Sequence, residues 1–227
     1  MKRQQSGFTL VEIAIVLVII GLLLGGILKG QELINSAKVK NIANDFRVIP
    51  TYIYAYQDKF RALPGDDAGA VAHLGVTVPP VTPGNGNGVI DGAVFAGVAP
   101  NIAPTGEALE FWQQVRVANL AAGPTDKADP AYVPTNAVGG KISISSMSSG
   151  QPWITGMTGT YQICSKGILG KFAKQLDIQM DDGNTAAGSM RAIPDVGTAD
   201  QGSVTTTAAT ATNAIDDAVS YTVCMTF

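Results

Sequence analysis

Histidine is almost absent from this chain, with His73 alone, and cysteine occurs only at Cys164 and Cys224. A zinc site built from several Cys and His ligands is therefore excluded, as is a small scaffold held mainly by disulfides. Charged residues make up only 15%, below the usual quarter. Fifteen Lys+Arg against 18 Asp+Glu leave a formal net charge of -3. With no basic excess, no nucleic-acid partner is expected. His73 has no nucleophile or second ligand beside it in the sequence, and no catalytic constellation shows, so an enzyme is not expected. What is abundant is apolar residues, at 46% of 227 positions. That suffices for one medium domain with an appendage, or for two small domains.

The apolar residues are not evenly spread. A short polar leader, MKRQQSG, carries Lys2 and Arg3 and precedes an apolar run from Phe8 to Leu28 that only Glu12 interrupts. As a helix this run would extend about 31 Å, enough for a bilayer core. The positive leader predicts a cytoplasmic N-terminus and an outward-facing remainder. An ordinary secretory signal peptide is the rival reading. It calls for an apolar region of about 7–15 residues and an A-x-A-like cleavage site. The run here is longer, and LLLGGILKGQ offers a poor site. A carboxylate inside a membrane helix costs about 2.5–3.5 kcal/mol on insertion scales, so Glu12 calls for a functional reason. No Lys or Arg lies within a helical turn of it in the sequence, which points to a partner supplied by another chain.

Gly7-Phe8-Thr9-Leu10-Val11-Glu12 followed by an apolar helix resembles the prepilin signature, shared by type IV pilins and the pseudopilins of type II secretion. The resemblance implies that a prepilin peptidase cleaves after Gly7 and methylates the new N-terminal Phe8. It also implies that Glu12, fifth in the mature chain, pairs with the N-terminal amine of a neighbouring subunit. Weaker similarity to the larger prepilin-like proteins of proteobacteria extends over Phe60–Asp67, Gly84–Gly92, Glu110-Phe111-Trp112 and Asp181-Asp182-Gly183.

Beyond Lys29 the pattern stays helical. Val39, Ile42, Phe46, Ile49, Ile53, Tyr56 and Phe60 recur at steps of three and four, whereas Lys38, Lys40, Asp45 and Arg47 fall off that face. One helix is expected from about Phe8 to Lys59, kinked at Pro50 and weakened at Gly21, Gly25, Gly26 and Gly30. Those glycines read equally as tight packing sites in the membrane or as a segment that unwinds during assembly. Tyr52, Tyr54, Tyr56 and Phe60 read as core packing rather than as an electron path. Four segments follow: a leader at 1–7, a transmembrane half-helix at 8–28, an amphipathic half-helix at 29–60 and a globular domain at 61–227.

Within that domain, residues 64–106 read as loops, punctuated by prolines and glycines. A helix is expected at Glu107–Ala122, with Thr105 as N-cap and Gly123-Pro124 as its stop, and a short one at Ile168–Leu176. Strands are expected at Lys141–Ser145, Tyr161–Cys164 and Ala218–Met225. The fold class is α+β, a long N-terminal helix packed on an antiparallel sheet; the family resemblance implies the same pilin-like layout. Ser203–Thr212 reads as an exposed low-complexity loop.

Cys164 and Cys224 fall in expected strands of the exported part, where oxidising conditions allow a disulfide; two buried free thiols are the alternative. The bond would close a loop of about 60 residues, worth about 4 kcal/mol in the chain-entropy model. Asn85, Asn87 and Asp91 in GNGNGVIDG echo a calcium loop, with Asp66 and Asp67 as further carboxylates. Asn-Gly is also a turn signal, and a glycine-rich turn is the preferred reading, with calcium the only cofactor considered. Asp181 and Asp182 before Gly183 read as a hairpin turn.

The function expected is a structural subunit of a type IV pilus-like filament. It would be held in the inner membrane by one span with its globular domain in the periplasm, then assembled into an extracellular or envelope filament. The partners implied are prepilin peptidase, identical or related pilin subunits, and the pilus or secretion assembly machinery. The alternatives are a type II secretion pseudopilin and, from another class, a secreted binding protein with an ordinary signal peptide.

Overall fold

The computed structural model describes residues 10–75, 79–92, 106–147, 153–195 and 208–227. The chain divides into two units, one up to Lys38 and one from Val39 onward. The helix α1, Leu10–Phe60, opens the described chain and continues across the boundary between them. Within the second unit follow α2 (Ala70–Leu74), α3 (Glu107–Val117), β1 (Ile142–Ser146), β2 (Tyr161–Leu169), α4 (Gly170–Met180), β3 (Met190–Pro194) and β4 (Ser220–Thr226). The described strands form one antiparallel sheet in the order β1-β2-β4-β3. A long helix with an antiparallel sheet is the α+β layout expected, and it is consistent with a pilin-like fold.

The three-and-four spacing in the second half of α1 decides which side faces the core. Val39, Ile42, Ala43, Phe46, Ile49, Ile53 and Tyr56 are buried, and Lys40, Arg47 and Lys59 are exposed. Each large apolar side chain removed from water contributes about 1.5–3 kcal/mol. Pro50 lies inside the helix without ending it. Arg61, with φ of 56°, turns the chain out of the helical conformation after Phe60. Tyr56 and Phe60 pack with ring centroids 4.6 Å apart, and Tyr54 is exposed, as core packing rather than a continuous aromatic path requires.

Asp45 sits half-buried on the margin of this face, and burial pushes its carboxyl from 3.8 up to about 6. A carboxylate whose folded value lies above its unfolded value loses stability as pH rises. The cost is absent below about pH 4 and complete above about pH 6. Asp45→Asn should therefore stabilise the fold by about 1–2 kcal/mol at neutral pH, the full shift being reduced for partial solvent access, and should change nothing near pH 4. Urea unfolding of both proteins at the two pH values checks this, and an equal gain at both would rule it out.

Both faces of the sheet are covered. Ile142, Ile144, Ile163, Ile168, Met190, Ala192, Tyr221 and Val223 join the α1 residues in the main core. On the other face, Cys164, Cys224 and Ile193 pack with Trp153, Ile154 and Met157. This is why β1 is buried along its whole length, although its alternation of Ile and Ser resembles a strand with one wet face.

Several boundaries differ from the sequence reading. Helix α3 ends at Val117 rather than Ala122, because Asn119 adopts φ of 60° and the amides of Leu120 and Ala121 fold back onto the Val115 carbonyl. Gly106, at φ of 119°, occupies its N-cap position, and Thr105 lies outside the described residues. The helix expected from Ile168 starts at Gly170 and runs to Met180, because β2 continues through Leu169. An irregularity between Ser165 and Ile168, with Gly167 at φ of 72°, shifts the register and lets the strand continue. Helix α2 and strand β3 were not expected. Strand β3 ends at Pro194 and takes an edge position, where a missing N–H is tolerated. The Ser203–Thr212 loop lies largely outside the described residues.

Candidate functional site

The first candidate is the N-terminal part of α1. Its sequence is apolar on every side, so a helix here has no polar face to turn outward. Within its own unit its side chains remain uncovered: Leu10, Leu17, Leu22, Leu23 and Leu28 are all exposed. It is long and apolar enough to cross a membrane, by length and composition. Glu12 stands in the first turn of the described helix, among these residues. A Cβ added at Gly21, Gly25, Gly26 or Gly30 would meet no described atom within 4 Å beyond the adjoining residues and backbone of its own helix. Intrachain packing therefore does not require these glycines, and both readings of them look to contacts or changes outside the single chain. Gly7 and Phe8 lie outside the described residues.

The second candidate is the glycine loop at 84–92. Asp66 is buried beneath it and gathers its backbone. One carboxylate oxygen accepts from the Gly86 and Asn87 amides at 2.6 and 3.0 Å, and the other accepts from Gly88 at 2.7 Å. Glu107, at the start of α3, holds the two ends of the turn, its oxygens accepting from the Asn85 and Asp91 amides at 2.8 Å each. Burial raises the Glu107 carboxyl, the two amides oppose that shift, and the charges of Asp66 and Asp91 add to it. A Cβ on Gly84 would lie 2.3 Å from the Asp66 Cα, so only glycine allows this approach.

The side chains considered for calcium are occupied within the loop. Asn85 Oδ1 accepts from the Asn87 amide and Asn87 Oδ1 from the Val89 amide, both at 2.9 Å. Asp91 Oδ2 accepts from the Asn87 side-chain amide at 2.7 Å and from that of Asn85 at 3.3 Å. These are the contacts of a turn wound on buried carboxylates. Asp67 faces elsewhere, accepting from the Tyr56 hydroxyl at 2.8 Å, from the Gly69 amide, and lying 2.7 Å from His73 Nδ1. His73 thus helps to tie α2 to α1.

Helix α3 explains how such a long loop region stays in place, and its role was not anticipated. Leu109, Trp112 and Val115 form a buried apolar stripe, and Glu107, Glu110, Gln113, Gln114 and Arg116 are buried too. Each anchors a loop. Gln113 bonds Thr82, Pro80 and Thr125, while Gln114 bonds Gly65 and Thr82. Arg116 donates to the Pro124 and Tyr132 carbonyls, and Glu110 pairs with Lys127. A signal was available: the helix is flanked by long segments whose backbone groups need partners.

The third feature is the bond between Cys164 on β2 and Cys224 on β4, which stand opposite each other in the register. It lies in the covered outer face of the sheet.

Against known proteins, residues 2–28 match the family described as the prokaryotic N-terminal methylation motif, which is the prepilin-type signature. No curated protein and no solved structure matches the chain.

Proposed function

We propose that this chain is a structural subunit of a type IV pilus-like filament, cleaved after Gly7, methylated on Phe8 and assembled from the inner membrane. The observation that carries the reading is the methylation motif at residues 2–28, continuous with an apolar helix that its own unit leaves uncovered. Such a helix needs an apolar surrounding at every stage. The bilayer supplies it before assembly, and the corresponding helices of identical or related subunits supply it afterwards. Prepilin peptidase and an assembly motor are the partners this sequence of events requires. In the mature chain, loss of Lys2 and Arg3 removes the positive charges that would hold the N-terminus on the cytoplasmic side.

Gly7→Val should leave the leader attached and the protein in the membrane, because a branched side chain at the residue before the cut obstructs the peptidase. Intact mass measurement reads the outcome directly; loss of residues 1–7 from the mutant would refute the assignment. N-terminal sequencing of the wild type at Phe8 separates this reading from an ordinary signal peptide. Fractionation separates a pilus from a pseudopilus: filaments are recovered outside the cell in the first case and only from the envelope in the second.

A further inference from the structure

The turn joining α4 to β3 gathers three carboxylates, Asp177, Asp181 and Asp182, each with an oxygen within 4.8 Å of the others. Asp177 stands in the last turn of α4, is 1% exposed, and has no hydrogen-bond partner on either oxygen. Buried polar atoms are nearly always partnered, so this pair of orphaned oxygens asks for one. Burial pushes the Asp177 carboxyl up to about 6, and the neighbouring charges of Asp181 and Asp182 add to that. The amides of Gly183 and Asn184 oppose it without reaching hydrogen-bond geometry. No ion pair among the described residues involves any of the three.

The turn is built to hold these acids in place. One Asp181 oxygen accepts from the Met190 amide at the start of β3, at 2.8 Å. Gly188, at φ of 67°, lies so close that a Cβ there would stand 2.0 Å from the same oxygen. One Asp182 oxygen accepts from the Asn184 amide at 2.8 Å. Each of these two acids keeps its second oxygen for another partner. Thr212 bonds the Gly183 carbonyl, and Thr185 bonds the Thr210 carbonyl, fixing the turn to the segment before β4.

We propose that Asp177, Asp181 and Asp182 bind a calcium ion that ties the end of α4 to the start of β3. An all-carboxylate set selects hard divalent cations over zinc or copper, which favour nitrogen and sulfur. Both Asp177 oxygens and the second oxygens of Asp181 and Asp182 supply four of the oxygens that calcium takes, and its flexible coordination suits one helix residue combined with two turn residues. Magnesium demands a near-ideal octahedron and keeps its water. The ion neutralises mutual repulsion among the three acids and gives the Asp177 oxygens their partner. With three protein carboxylates on a partly exposed turn, affinity should fall in the range of extracellular modules, about 0.1–1 mM. This site is separate from the glycine loop and independent of the filament assignment.

The test uses the full chain in detergent micelles, titrated with calcium chloride after chelation and followed by calorimetry and thermal unfolding. Wild type should bind one ion in that range and melt at a higher temperature in calcium than in chelator. Asp182→Asn keeps an acceptor for the Asn184 amide but removes the charge, and should weaken binding about tenfold or more. Asp177→Asn should melt higher than wild type in chelator and gain nothing from calcium. Asp91→Asn should bind as wild type does. No binding by wild type at millimolar calcium would overturn the proposal. So would a response that survives Asp182→Asn and disappears in Asp91→Asn, which would move the ion to the glycine loop. Equal binding of magnesium would overturn the choice of calcium.

Discussion

Glu12→Ala, expressed as the only copy, should be cleaved normally, accumulate in the membrane and give at least about tenfold fewer filaments. The physical ground is the setting of this carboxylate, in the first turn of a helix whose other side chains nearby are apolar and exposed. In hydrocarbon its charge costs about 2.5–3.5 kcal/mol unless neutralised. On the proposed reading, cleavage after Gly7 lies five residues before Glu12 and would free an amine at Phe8 in every mature subunit. An amine and a carboxylate brought together in a low-dielectric bundle attract strongly, and the attraction favours one axial register over others. Loss of about 1.4 kcal/mol at each addition already lowers the association constant tenfold. Alanine removes the desolvation cost together with the attraction, so retention in the membrane should improve while growth fails. Cleavage and filament yield are measured in the same cells. Normal yield defeats the pairing role, and absent cleavage transfers Glu12 to peptidase recognition.

Removing the bond between Cys164 and Cys224 should cost about 4 kcal/mol of stability. The two residues are 60 apart in sequence, so the bond restricts a large part of the unfolded chain. Both sulfurs are buried beside Trp153, Ile154, Met157 and Ile193, so replacing them with alanine also loses packing on the outer face of the sheet. The double variant Cys164→Ala with Cys224→Ala is the appropriate comparison, because a single change leaves a reactive thiol. Its denaturant midpoint should fall well below that of the wild type. Mass spectrometry without reductant should find the two peptides linked in exported protein, and full alkylation of both thiols would reject the bond.

The parts of the fold legible in the sequence are those where one periodicity acts alone. The buried face of α1 follows from the spacing of Val39 through Tyr56, since a helix with one wet side must place apolar residues at three and four. The strands containing Ile142, Ile163 and Val223 were found for a similar reason. Strand β3 was missed because MRAIP is short, ends in proline and has no clear alternation; its place depends on pairing with β4. Helix α3 was located but misjudged. Its pattern carries no sign that Gln113, Gln114 and Arg116 face backbone carbonyls and amides distant in sequence. The glycine loop was recognised as a turn, but the two carboxylates at its centre come from Asp66 and Glu107, outside the motif, and only the fold brings them in. The acids at 181 and 182 were read as a hairpin, because nothing local signals that Asp177, one helical turn earlier, is buried against them.

The position of β4 has a consequence for the order of folding. It occupies the last residues of the chain, Ser220–Thr226, and lies between β2 and β3 in the sheet. The terminal Phe227 carbonyl receives the amides of Thr160 and Tyr161. Until this segment has joined the sheet, β3 lacks its strand neighbour and Cys164 lacks its disulfide partner. Closing the core also gathers Ile49 and Ile53 with Tyr221 and Val223 into one cluster, which is slow to form because a long loop must close first. The sheet therefore closes only once Ser220–Thr226 is available to pair with both β2 and β3. During that interval the apolar face of α1 from Val39 to Tyr56 lacks part of its cover, and a chaperone or an oxidant would have its best access to the chain.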